Sequence, residues 1–229
     1  MTRSLKLLSS MAGREILAGL AAEFERATGQ EVRAEAAGGV NVVKRIQAGE
    51  PVDVVVLTQD AIDKLIAEDK LISGSRVDLT KSGVAVAVRA GAPRPRIDTA
   101  EALKQAVLAA RSVAYSTGPS GVHLEKVFEG WGIRDEIKSR LVVAPPGVPV
   151  GSLIAKGEVE LGFQQLSELM HLAGVDVVGP LPAEAQIITT FSGAISKHSG
   201  QPDAARALLR FMAAPAATAL KQRHGMEAA

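Results

Sequence analysis

Strand and helix signals alternate along almost the whole of this chain, and that rhythm admits few folds: α/β layers around a largely parallel sheet. Two apolar runs anchor the reading. Residues 52–57 (VDVVVL) and 83–88 (GVAVAV) are short and almost uninterrupted, as strands covered on both faces must be. Between the strands the spacing turns helical: Ile16, Leu17, Leu20 and Phe24 lead to a stop at Gly29, and Val42, Val43, Ile46 and Ala48 to one at Gly49. Shorter strands are predicted at 5–8 and 31–36, and Asp60 is placed to cap a helix whose apolar face is Ile62, Leu65 and Ile66.

The punctuation Ala90-Gly91-Ala92-Pro93-Arg94-Pro95 cannot continue a regular element, and a second βα series follows it. Its strands are predicted at 112–115 and 160–164, and its helices carry Val122, Leu124, Val127 and Phe128, then Leu153, Ile154 and Ala155. Residues 187–191 read as a return strand, and the C-terminal helix presents Ala204, Ala207, Leu208 and Phe211 on one face. The expectation is a two-lobed α/β chain. Residues 1–84 with 190–229 form one lobe and 85–189 the other, with a hinge of two crossing strands and a ligand cleft between the lobes.

Composition narrows the function. With 47% hydrophobic and 22% charged residues, the 229-residue chain has an ordinary globular balance, and a net charge of +1 gives no field to hold a polyanion, which argues against nucleic acid as a partner. The absence of cysteine rules out a disulfide framework and thiolate chemistry, and His171, His198 and His224 make no metal-ligand spacing. No cofactor is expected. No apolar run approaches the roughly 20 residues that span a bilayer. The start Met1-Thr2-Arg3-Ser4 leads directly into the fold without the pattern of a secretory signal. The expected compartment is therefore the cytoplasm for the chain as it stands, or the periplasm where a leader has been removed.

In open α/β sheets ligands sit at the carboxyl ends of strands, where helix N-termini present N–H groups. Four turns there have suitable chemistry: Ser9-Ser10-Met11, Gly38-Gly39-Val40, the stretch 116–121 (STGPSG), and 146–151 (PGVPVG). Each is also what ordinary caps and turns look like, and only their equivalent placement after strands makes them a set. His123, just inside the helix after Ser120-Gly121, is a candidate general acid or base, although a solvated helix residue is the commoner use of a histidine there. Arg14 reads as a solvated side chain and Trp131 as a packing residue.

The order of these segments resembles the molybdate-binding branch of the type II periplasmic binding proteins. The stretch FERATGQEVRAEAAGGVNVVKRIQAGEPVDVVVLTQDAIDKL is similar to that family's first lobe, YSTGPSGVHLEKVFEGWGI to its second-lobe ligand loop, and IAKGEVELGFQQLSEL to the strand that closes the cleft. The resemblance implies a ligand held by Ser9, Ser10, Met11, Gly38, Gly39, Val40 and Thr58 from one lobe, and by Ser116, Ser120, Gly121, Pro149 and Gln165 from the other. It departs from the molybdate pattern in three places. Gly38-Gly39-Val40 stands where the family has a serine-rich turn, Ser120 where it has alanine, and Gln165 where a tyrosine closes over the ligand. A small oxyanion or a small carboxylate is the implied partner, with an ABC transporter as a second partner if the chain is exported. The alternative implied by the same branch is a cofactor-independent isomerase of a small unsaturated tricarboxylate such as aconitate, for which a base such as His123 would have to move a proton beside a carboxylate. A regulatory sensing domain finds no support, since no DNA-binding or signalling segment accompanies it.

Overall fold

The computed structural model describes residues 3–145 and 147–229. In chain order the elements are β1 (Leu5–Ser10), α1 (Arg14–Thr28), β2 (Val32–Ala37), α2 (Gly39–Gln47), β3 (Val54–Thr58), α3 (Gln59–Ala67) and β4 (Val77–Arg89). Then come α4 (Ala100–Ala109), β5 (Val113–Ser116), α5 (Pro119–Gly130), α6 (Arg134–Ile137), β6 (Leu141–Ala144), α7 (Val150–Lys156), β7 (Leu161–Gln165), α8 (Leu166–Leu169) and β8 (Val175–Pro180). The chain ends with β9 (Ile188–Ile195), α9 (Pro202–Ala213), α10 (Thr218–Arg223) and β10 (Glu227–Ala228). It divides into two compact units, Met1–Ser82 with Thr189–Ala229 and Gly83–Ile188, so the chain passes from one to the other within β4 and returns within β9.

In the first unit β2, β1 and β3 lie parallel, with Ser10 opposite Ala37 and Ser9 opposite Val56. β9 runs antiparallel to β3, which sets Phe191 opposite Thr58. Alternation along the strands sorts the core to two faces. Leu5, Leu7, Val54 and Val56 meet Ile16, Leu20 and Phe24 of α1 and Leu208, Leu209 and Met212 of α9. Leu8, Val55 and Leu57 meet Val42 and Ile46 of α2 and Ile62 and Leu65 of α3. α1 ends where Gly29 adopts φ +73°, a left-handed conformation that a side chain would strain.

The second unit repeats the scheme. β6, β5 and β7 are parallel, and β4 pairs antiparallel with β7 and β8. Tyr115, Phe163 and Val84, Val86 and Val88 of β4 face Leu103, Val107, Leu124 and Phe128. The small residues Ala85, Ala87, Ala114 and Ala144 instead let α7 approach closely through Val150 and Ile154. Trp131 packs against Phe128 at a ring separation of 6.2 Å.

Several local expectations change. The N-cap position of α3 is Thr58 and not Asp60, which lies in the first turn of the helix, because β3 runs directly into it. The buried face of α9 is Ala205, Leu208, Leu209 and Met212, one residue on from the expected one, with Ala204 and Phe211 half-buried at its edge against the same core. α4 and β8 were not anticipated, and β4 begins well before residue 83 because its first half pairs within the first unit, where Lys81 meets Glu227.

A surface cluster supplies a pH-dependent contribution. The Arg45 guanidinium grips Glu50 with two bonds of 2.6 Å and also reaches Glu35, holding both carboxyls below their ordinary range. Groups with lowered folded values stabilise above their unfolded pKa and lose that contribution as pH falls through the folded one. Glu35 is largely exposed and its share is screened. Arg45→Met should therefore cost about 0.5–1 kcal/mol at neutral pH and progressively less as the pH falls below the ordinary glutamate range, read by urea unfolding along a pH series.

Candidate functional site

Each unit gathers neutral hydrogen-bond donors at the carboxyl ends of its parallel strands. In the first unit these ends are Ser9-Ser10 of β1, the turn after β2, and Thr58 of β3. The two serines differ. The Ser9 hydroxyl is buried and lies 3.4 Å from the Glu35 carbonyl, to which it donates. Ser10 is 9% exposed, and its buried hydroxyl oxygen has no hydrogen-bond partner among the described residues. It also makes no capping bond to the 3-10 turn Met11–Gly13 that follows, and Met11 is half-buried there. An unpaired buried hydroxyl is costly, so a native chain retains one where something else satisfies it.

What lies beside Ser10 is the start of α2. A side chain at Gly39 would come within 3.9 Å of the Ser10 β-carbon. The first bond of this helix is from Val42 N–H to the Gly38 carbonyl, so the N–H groups of Gly39 and Val40 precede the intrahelical ladder. Val40 itself is exposed. Thr58 is half-buried and its hydroxyl does not cap α3. The structure thus brings Ser10 and Gly39 together, with Thr58 ending the strand on the other side of β1. Arg14 is exposed and paired with Glu15 at 2.9 Å, so it brings no free cation.

In the second unit the turn after β5 is compact. Ser116 Oγ lies 3.4 Å from Ser120 Oγ and 3.4 Å from the Gly118 N–H. Ser120 is buried, and the cap position is Gly118, so the Ser120 side chain is not an N-cap. Gly121 serves by absence. A β-carbon there would stand 1.8 Å from the Ser116 carbonyl oxygen and 2.9 Å from the Tyr115 ring, so only glycine lets α5 leave the strand this tightly. Its N–H is already given to the Gly118 carbonyl at 3.0 Å, which leaves Ser120 as the donor of the pair. Tyr115 donates to Glu125 at 2.5 Å, and burial with that carboxylate pushes its phenol up to about 12.

The remaining residues are less free. The Pro149 carbonyl accepts from both the N–H and the hydroxyl of Ser152, and proline has no N–H, so Pro149 fixes the entry of α7. Pro146, in the same turn, lies outside the described residues. Gln165 is buried at the end of β7, where it precedes α8. Its neighbour Gln164 accepts from Gly151 N–H and donates to Glu168 at 2.6 Å. Sequence reasoning missed Ser167, buried just beyond Gln165 with a hydroxyl that has no partner among the described residues. The cue was a hydroxyl residue right after a strand, the same cue that marked Ser10. His123 is half-buried, and its Nε2 donates to the Ala185 carbonyl at 2.9 Å, tying α5 to the segment before β9. No group of three or more metal-ligating side chains occurs among the described residues, and none of their helices is long and apolar enough to cross a membrane. The chemistry on offer is that of neutral N–H and O–H donors, which hold anions through charge-assisted hydrogen bonds.

Residues 5–227 match the family model described as bacterial extracellular solute-binding protein. Along 98% of its length the chain is 39% identical to an aconitate isomerase of a Pseudomonas species, covering 87% of that protein. It is 28% identical to the molybdate-binding protein ModA of Azotobacter vinelandii over 90% of the chain and 82% of that protein. Among solved structures, the periplasmic molybdate-binding protein of Azotobacter vinelandii aligns with a TM-score of 0.81 at 23% identity, covering 97% of this chain and 98% of that one. The sulfate-binding protein SubI of Mycobacterium tuberculosis aligns with a TM-score of 0.81 at 16% identity over 98% and 86% of the two chains. The last two show a shared fold, the type II periplasmic-binding-protein architecture.

Proposed function

The chain belongs to the bacterial extracellular solute-binding protein family, and from that premise we propose that it binds a small carboxylate anion through neutral donors at the carboxyl ends of its parallel strands. The observation that carries this reading is the buried, unpartnered Ser10 hydroxyl beside the first turn of α2. A carboxylate oxygen would satisfy it together with the Gly39 and Val40 amides. In the second unit Ser120 and the turn after β5 offer the same chemistry. The departures from the molybdate pattern at Gly38-Gly39-Val40, Ser120 and Gln165 favour a carboxylate over a tetrahedral oxyanion, since they change which donors surround the ligand. A membrane transporter as partner, and a place outside the cytoplasm, are proposed on the family's extracellular description alone.

The test is a titration of refolded, ligand-free protein with trans-aconitate, cis-aconitate, molybdate and sulfate. A carboxylate should raise the melting temperature in proportion to its affinity. Ser120→Ala should then weaken that affinity by about one to two decades, the loss of one charge-assisted bond of roughly 1.5–3 kcal/mol. A panel that leaves the melt unmoved would sink the proposal.

A second reading is favoured by one observation, the 39% identity to an aconitate isomerase along nearly the whole chain. Isomerisation would require a proton to leave the carbon next to a carboxylate and return elsewhere on the allylic system, through one positioned base. His123 has its Nε2 committed to Ala185, so only Nδ1 remains for that role. Incubation with trans-aconitate in heavy water decides it. Deuterium in recovered aconitate, slowed in His123→Ala, is the enzyme's result, and stabilisation with no exchange is the receptor's.

A further inference from the structure

Lys221 of α10 is only 1% exposed, yet it has no ion-pair or hydrogen-bond partner for its amine among the described residues. Desolvation by burial pushes its ammonium below the ordinary lysine value. Fully buried lysines are rare unless paired, because desolvating an ammonium with nothing in return is costly. Several exposed or half-buried basic residues of this unit are paired, Arg14 to Glu15, Arg45 to Glu50 and Glu35, Arg76 to Asp63, and Lys197 to Asp69, whereas Lys221 is buried without such a pair.

Where Lys221 lies gives its burial a use. Together with Gly13, Leu17, Thr80 and Phe191 it walls a cavity of about 10 Å³, the space of a single water. Gly13 closes the turn that follows Ser10, and a side chain built on it would come 4.0 Å from the Ser9 β-carbon. Phe191 is the partner of Thr58 across β3 and β9. The lysine therefore sits under the same strand ends that carry the donors of the first unit. The cavity is too small to hold a carboxylate, and none is needed inside it, because Coulomb attraction falls only with the first power of distance and is weakly screened where water is excluded.

Building on the proposed anion-binding function, we propose that Lys221 supplies the positive charge that balances the bound anion, a charge the neutral donors at the strand ends lack. Its missing partner is then the solute itself. A purely structural lysine in this place would be replaced to advantage by an apolar side chain, and that contrast makes the role testable.

The experiment compares the whole wild-type chain with Lys221→Met, a variant of similar length, by thermal melt without ligand and by calorimetric titration with trans-aconitate and with molybdate. The expected result is a melting temperature equal to or above wild type, with affinity for the bound anion weakened at least about tenfold. Lys221→Gln, neutral but polar, should show the same loss and serves if the methionine variant folds poorly. Affinity within about twofold of wild type in a folded variant would overturn the role of Lys221 while leaving the binding function intact. A wild-type chain that binds neither anion would overturn the binding function itself, and the role of Lys221 with it.

Discussion

Gly121→Ala should cost about 3 kcal/mol of stability or more, and with it nearly all solute binding. The added methyl would stand 1.8 Å from the Ser116 carbonyl oxygen, a backbone atom with no rotamer to give, and 2.9 Å from the Tyr115 ring. Relief requires the start of α5 to move away from the end of β5. That movement pulls Leu124 and Phe128 out of the core they share with Val113 and Phe163, a form of overpacking at the upper end of its usual cost. It also separates Ser116 from Ser120, whose hydroxyls are 3.4 Å apart. A denaturant melt and a trans-aconitate titration check both halves. Wild-type stability in this variant would mean that the turn is looser than described.

Ser10→Ala should act in the opposite sense on the two measurements. The hydroxyl it removes is buried, caps nothing and has no partner among the described residues, so its loss should raise the stability of the ligand-free protein by about 1 kcal/mol. If that hydroxyl serves the solute, affinity should fall by about one to two decades. Ser9→Ala is the control. Its hydroxyl is spent on the Glu35 carbonyl, so it should lose a little stability and little affinity. A Ser10 variant with higher stability and unchanged affinity would remove Ser10 from the site.

The sequence determined the fold through hydrophobic period. Apolar runs at 52–57 and 83–88, with helical spacing between them, leave few ways to bury both faces of the strands, and the structure uses α/β layers in each unit. It determined less where composition blurs the period. β8, half-buried along most of its length, carried no alternation to read. The candidate residues were also legible, because serine, threonine and glycine just after a strand are a local pattern.

What only the tertiary structure decided is which of them are free. Ser9 and Ser10 are equivalent in sequence, but the parallel pairing of β1 with β2 gives Ser9 a carbonyl partner and leaves Ser10 without one. Gly121 reads as a donor until the path of α5 spends its N–H on Gly118 and fills its β-carbon position with the Ser116 carbonyl. Lys221 carries no local signal in the sequence, and only the packing of α10 sets it in the wall of one cavity with Gly13, Leu17 and Phe191. Hydrogen-bond satisfaction and desolvation depend on groups far apart in the chain, and a local pattern carries no record of them.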